Sequence, residues 1–270
     1  MKRTRTIIGA ACLALLLGAG TVPGDADPSA WAPEPRPHEY TEDGRERVDL
    51  ELVLAVDVSS SIDEAEARRQ REGHVAALAD PDIISAIQSG GYGRIAVVYL
   101  EWADADFQRI VAPWTVIETE EDAQIFAATL ATAPFISGRR TAIGAAIDTS
   151  LTLMEDNAFE GVRQVIDISG DGPQNAGPSL NVARERAEAG QVTVNGLPIA
   201  GGRQHPFRPS VSIDVSAYFE NQVIAGPGAF ISPSNEHDDF VDALRRKLII
   251  EIAGLDPLCV LEPAVLVRNG

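Results

Sequence analysis

Three short segments gather oxygen donors of the kind that hard cations prefer. The run Asp57-Val58-Ser59-Ser60-Ser61 places one carboxylate and two hydroxyls at alternate positions. Ser169-Gly170-Asp171-Gly172-Pro173 sets a second carboxylate between glycines that let the backbone approach closely. Thr141, ahead of Ala142-Ile143-Gly144, offers a further hydroxyl at the start of a helix. Carboxylate and hydroxyl oxygens suit Mg²⁺ or Ca²⁺ better than a soft metal. A competing reading needs no metal: Ser61 with Glu64 three residues later fits a helix capping box. That reading leaves Asp57 at a buried strand end without a partner, which is costly.

Other chemistries fare worse. The chain's lysines are Lys2 and Lys247, so a phosphate-cradling G-x-x-x-x-G-K-[ST] loop is excluded. An aspartyl phosphatase would want a second carboxylate where Ser59 stands, and no G-x-S-x-G elbow occurs for a serine hydrolase. His38 falls in an N-terminal arm, His74 on the first helix, His205 in a loop and His237 at the start of the last helix, and all four are expected at the surface. Asp167 interrupts the apolar run Val165-Ile166-Asp167-Ile168, where a supporting role beside the site and a structural hydrogen bond both remain open. With 40 acidic against 22 basic residues the formal net charge is -18, a field that repels nucleic acid.

The elements that must position these donors follow from the apolar pattern. Lys2, Arg3 and Arg5 precede an apolar run over 7–19, which reads as an export signal cleaved after Ala26 or Ala30. That run, about 13 residues, is too short to span a membrane, so no transmembrane segment is expected. Cys12 lies within the run in a poor lipidation context, and Cys259 alone can form no intramolecular disulfide. The expected layout is a signal over 1–26, a Pro-rich acidic arm over 27–47, a folded domain over 48–254 and a tail over 255–270. Strands are expected at 50–58, 94–101, 163–169, 192–199 and 229–232. A further strand at 107–113 follows too soon for a crossover and must pair antiparallel. Helices are expected at 63–79, 121–131, 142–156, 179–189, 214–223 and 236–252. This alternation predicts an α/β fold: a doubly wound, mostly parallel sheet with one antiparallel edge strand and helices on both faces.

In their order and approximate spacing, the segments at Asp57, Thr141 and Asp171 resemble the three parts of the metal-ion-dependent adhesion site of von Willebrand factor type A (VWA) domains. The resemblance covers about residues 49–253. It implies an octahedral ion bound by Ser59, Ser61 and Thr141, with one or both of Asp57 and Asp171 acting partly through water and an incoming carboxylate completing the shell. The chain also resembles a group of exported bacterial single-domain proteins of this type whose function is not established.

The resulting expectation is a periplasmic or secreted, non-catalytic module that binds Mg²⁺, with Mn²⁺ or Ca²⁺ as substitutes, and recognises a protein ligand presenting a carboxylate. The alternatives are a metal-dependent hydrolase and a structural domain whose metal only stabilises the fold. The loop over 200–212 follows a parallel strand, so Arg203, His205 and Arg208 are expected on the ligand face.

Overall fold

The computed structural model describes residues 36–199, 213–232 and 240–255. Five strands form one sheet: β1 (Glu46–Asp57), β2 (Ile95–Trp102), β3 (Gln108–Ile117), β4 (Phe159–Gly170) and β5 (Thr193–Pro198), in the spatial order β3-β2-β1-β4-β5. β1 runs parallel to both β2 and β4, and β5 runs parallel to β4. β3 is the antiparallel edge strand, joined to β2 by residues 103–107, a connection too short for any other pairing.

The helices are α1 (Glu64–Leu78), α2 (Pro81–Gln88), α3 (Glu120–Thr132), α4 (Ile143–Glu155), α5 (Leu180–Ala189), α6 (Val215–Tyr218) and α7 (Phe240–Ala253). α6 continues into a π-helical turn at Phe219–Val223. Side chains alternate across β1. Leu50, Leu52, Leu54 and Val56 pack with α1, α2, α3 and α7, while Val53 and Ala55 pack with α4, α5 and the π turn. Apolar layers on both faces explain why the strand reads as a continuous apolar run.

Several elements depart from the pattern-based expectation. Asp80-Pro81 ends α1 but also starts α2, since the Asp80 side chain accepts from Asp82 N and the proline occupies a first-turn position. Residues 229–232 form no strand. The chain turns at Gly226 and Gly228, both at positive φ, and its ladder pairing with β5 is limited to single bridges at Ala225 and Ile231. α7 is described from Phe240, and the expected start at 236 lies outside the described residues. β1 starts at Glu46, and Arg36 already packs on the domain, donating to Gly91 O at 2.8 Å while its own carbonyl accepts from Arg94 at 2.6 Å.

His74 is a clearer correction, being buried rather than on the surface. Its ring meets Tyr99 edge-on at 5.3 Å, and its Nδ1 lies 2.8 Å from Gln70 O. Burial holds its pKa below the usual value, which favours the neutral ring.

Candidate metal centre

Neighbours of β1 lead the chain in opposite directions, so the strand order reverses between β1 and β4. Such a switch point opens a crevice at the carboxyl ends of the strands. Pairing of Val56 with Ser169 brings Asp57, the last residue of β1, beside Gly170 and Asp171. Asp57 is fully buried, and its Oδ1 accepts from Ser59 N at 2.7 Å. Ser59 Oγ lies 3.2 Å from Ser61 Oγ, and Ser61 Oγ donates to Asp171 Oδ1 at 2.8 Å. Four of the five expected residues therefore belong to one hydrogen-bonded set. The second oxygens, Asp57 Oδ2 and Asp171 Oδ2, are buried with no hydrogen-bond partner.

The capping reading of Ser61 does not hold. α1 starts at Glu64 and its cap is Asp63, whose side chain accepts from Glu66 N at 2.9 Å. The Ser61 hydroxyl is thereby left for Asp171.

Thr141 reaches the site on a separate loop wedged between the other two. Gly138 N donates to Val58 O at 3.0 Å, Ser60 Oγ donates to Arg139 O at 2.9 Å, and Ala142 N donates to Ala103 O at 2.9 Å. Only glycine fits at 138, where a Cβ would stand 2.3 Å from Ala103 Cβ. On the other side, Asn175 Oδ1 accepts from Thr141 N at 3.0 Å, and Asn175 Nδ2 donates to Thr141 Oγ1 at 3.3 Å. Among the described residues Thr141 makes no hydrogen bond to the Asp57–Asp171 set. Asn175 escaped the sequence reading because an asparagine in a Gly- and Pro-rich loop carries no distinguishing signal. Ser169, the last residue but one of β4, has a buried hydroxyl that also lacks a partner, and the sequence reading assigned it no role.

Electrostatically the site is short of positive charge. Burial, reinforced by the Asp171 charge, pushes the Asp57 carboxyl up to about 8. Burial also raises Asp171, against the opposing hydrogen bond from Ser61. Two buried carboxyls with partnerless oxygens must either hold a proton or meet a cation. Among the described residues no three His, Cys, Asp or Glu form a group that could hold a metal on their own. The donors at hand are thus two carboxylates and neighbouring hydroxyls, a set that fits a hard divalent ion and not a soft one. Arg203, His205 and Arg208 lie outside the described residues.

Comparison with known proteins agrees with this architecture. Over residues 47–256 the chain matches the family described as "Protein of unknown function (DUF1194)", and it belongs to that family. No curated protein matches it in sequence. Among solved structures, the VWA domain of SpRpn10 is 12% identical with a TM-score of 0.50, over 73% of this chain and 94% of that one. The pilus adhesin SpaC from Lactobacillus rhamnosus GG is 11% identical with a TM-score of 0.52, over 78% of this chain and 30% of that one. Proximal thread matrix protein 1 from the mussel byssus is 17% identical with a TM-score of 0.48, over 76% of this chain and 45% of that one. The chain thus spans less than half of the mussel and pilus proteins. It has the von Willebrand factor type A fold.

Proposed function

We propose that this protein is an exported, non-catalytic binding module that takes up Mg²⁺ at Asp57, Ser59, Ser61, Thr141 and Asp171 and thereby recognises an acidic group on a protein partner. The observation that carries this reading is the pair of buried, partnerless oxygens, Asp57 Oδ2 and Asp171 Oδ2, beside the Ser59 and Ser61 hydroxyls. When bound, the ion supplies positive charge and an open coordination position for an incoming carboxylate. Around it, Ser59 N fixes one oxygen of Asp57, Ser61 orients Asp171, and Asn175 holds Thr141 in place. Two carboxylates formally balance the ion, so an acidic partner is drawn by direct coordination and not by long-range attraction to a chain of net charge -18. Mn²⁺ and Ca²⁺ are the expected substitutes.

Export is supported by the basic start and apolar run of residues 1–26, with the arm ending where Arg36 and then β1 join the domain, and with 255–270 as the tail. Among the described residues no helix is long and apolar enough to cross a membrane.

Calorimetry with Mg²⁺, Mn²⁺ and Ca²⁺ tests the site, and failure of all three to bind at millimolar concentration would defeat the reading. A pull-down from envelope extract, with and without chelator, tests the partner. Phosphatase, esterase and peptidase substrates test the absence of catalysis, where turnover lost in Asp57→Ala would contradict it.

A further inference from the structure

Many of the described arginines are engaged by carboxylates or by backbone carbonyls. Arg45, Arg71, Arg94, Arg109, Arg186 and Arg245 each pair with at least one carboxylate. Arg139 and Arg140 do not: both are exposed, and among the described residues neither guanidinium has a carboxylate within ion-pair distance. Asp104 is the one described carboxylate that acts on both: its hydrogen bonds go to the loop backbone, from Arg139 N at 2.7 Å and from Arg140 N, and its charge is shared between the two guanidinium groups. Arg69 and Arg246 are likewise unpaired, yet they sit singly on α1 and α7. Among the described residues, two such arginines adjoin only at 139–140.

Their position is fixed by the candidate site itself. Arg140 precedes Thr141, and the Arg139 carbonyl accepts from Ser60, which lies between Ser59 and Ser61. Gly138 anchors the same loop to Val58 at the end of β1. Two cations that share a single nearby carboxylate, Asp104, are therefore held at the rim of the candidate metal centre of a strongly acidic protein. Holding two like charges beside one exposed, shared carboxylate adds little to the fold, whereas guanidinium groups are well suited to recognising carboxylates.

We propose that Arg139 and Arg140 form a second anion contact beside the metal centre, so that the preferred partner is a short acidic segment with more than one carboxylate, one for the ion and another for the arginines. This inference rests on the metal-dependent reading above. It makes the surrounding acidity selective: a partner with a single carboxylate meets only the ion, while an acidic segment gains contacts at a rim where the repulsion is locally reversed.

Fluorescence anisotropy of the whole protein in saturating Mg²⁺ provides the test, using two labelled Gly-Ser peptides, one with a single aspartate and one with three. The three-aspartate peptide should bind about tenfold more tightly, a preference that shrinks at high salt. Replacing Arg139→Gln and Arg140→Gln together should abolish the preference while leaving Mg²⁺ uptake and single-aspartate binding unchanged. Arg139→Glu with Arg140→Glu should push the three-aspartate peptide below the single-aspartate one. Retention of the preference in both variants would overturn the inference and leave the metal-dependent reading standing. Binding of neither peptide to wild-type protein that does take up Mg²⁺ would overturn the inference and the acidic-partner reading together.

Discussion

The Ser61 hydroxyl donates to Asp171 Oδ1 at 2.8 Å, joining residues 110 positions apart. This bond ties the loop after β1 to the loop after β4 across the point where the strand order reverses, with Asp57 buried behind it. Removing Asp57 should therefore abolish ion uptake without unfolding the sheet, because the lesion lies at a strand end and relieves clustered negative charge. At an Mg²⁺ concentration of 100 Kd, uptake adds about 2.7 kcal/mol of stability, or about 5–10 °C in Tm for a domain of this size. Asp57→Ala should lose that increment and keep its far-UV circular dichroism. A variant whose melting point still rises with Mg²⁺ would contradict the assignment.

The same carboxyl sets a pH dependence. Asp57 titrates near 3.8 in an unfolded chain but is pushed up to about 8 in the fold, by burial first and the Asp171 charge second. Between those values the metal-free folded state holds a proton that the unfolded state has released. Its contribution to stability is complete below the unfolded value and is lost as pH rises through about 8. Urea midpoints in chelator should fall from about pH 5 to pH 8.5, and Asp57→Asn should flatten part of that slope. Mg²⁺ uptake at neutral pH should release protons, seen as a buffer-dependent heat of binding.

Gly138 provides a test of the loop that carries Thr141. A methyl group there would stand 2.3 Å from Ala103 Cβ, a contact that only a shift of the backbone can relieve. Gly138→Ala should cost about 1–3 kcal/mol. It should also weaken Mg²⁺ binding through displacement of Thr141, although residue 138 offers no ligand atom. Native Mg²⁺ affinity in that variant would remove Thr141 from the proposed set.

The sequence was most legible where local pattern and long-range placement coincide. β1 and its donors could be read together because an apolar run buried on both faces ends directly in Asp57-Val58-Ser59-Ser60-Ser61. The antiparallel β3 followed from the short connection alone. α2 was missed because Asp80-Pro81 serves as a stop for one helix and a start for the next. His74 was misplaced because α1 turns polar residues inward: Gln70, Arg71 and His74 are all buried, and Arg71 pairs with the buried Glu101 of β2. No helical pattern reveals a polar face that is satisfied from the sheet. The partner of Asp167 was hidden for the same reason, since it stands on the last helix of the chain.

That partner is Lys247, and its removal is the most damaging single change foreseen here. Lys247 Nζ lies 2.7 Å from Asp167 Oδ1 and also contacts Glu251, which accepts from Asn195 Nδ2 at 2.8 Å. All four residues are buried. Burial alone would lower the lysine pKa, but the Asp167 and Glu251 charges outweigh it and hold the ammonium. Glu251 is pushed up to about 7, by burial and then by repulsion from Asp167. Lys247→Met removes the one cation and leaves two buried carboxyls facing each other, which should cost about 3–5 kcal/mol. Those carboxyls can escape only by protonation, so the deficit should be smaller at about pH 5 than at pH 8. In the wild type, the raised value of Glu251 contributes stability that is complete below the unfolded value of 4.5 and lost as pH rises through about 7. Glu251→Gln should flatten that slope. Urea denaturation of wild type and both variants at the two pH values gives the comparison. A Lys247→Met deficit of equal size at both would mean that lost packing, and not uncompensated charge, makes this lysine necessary.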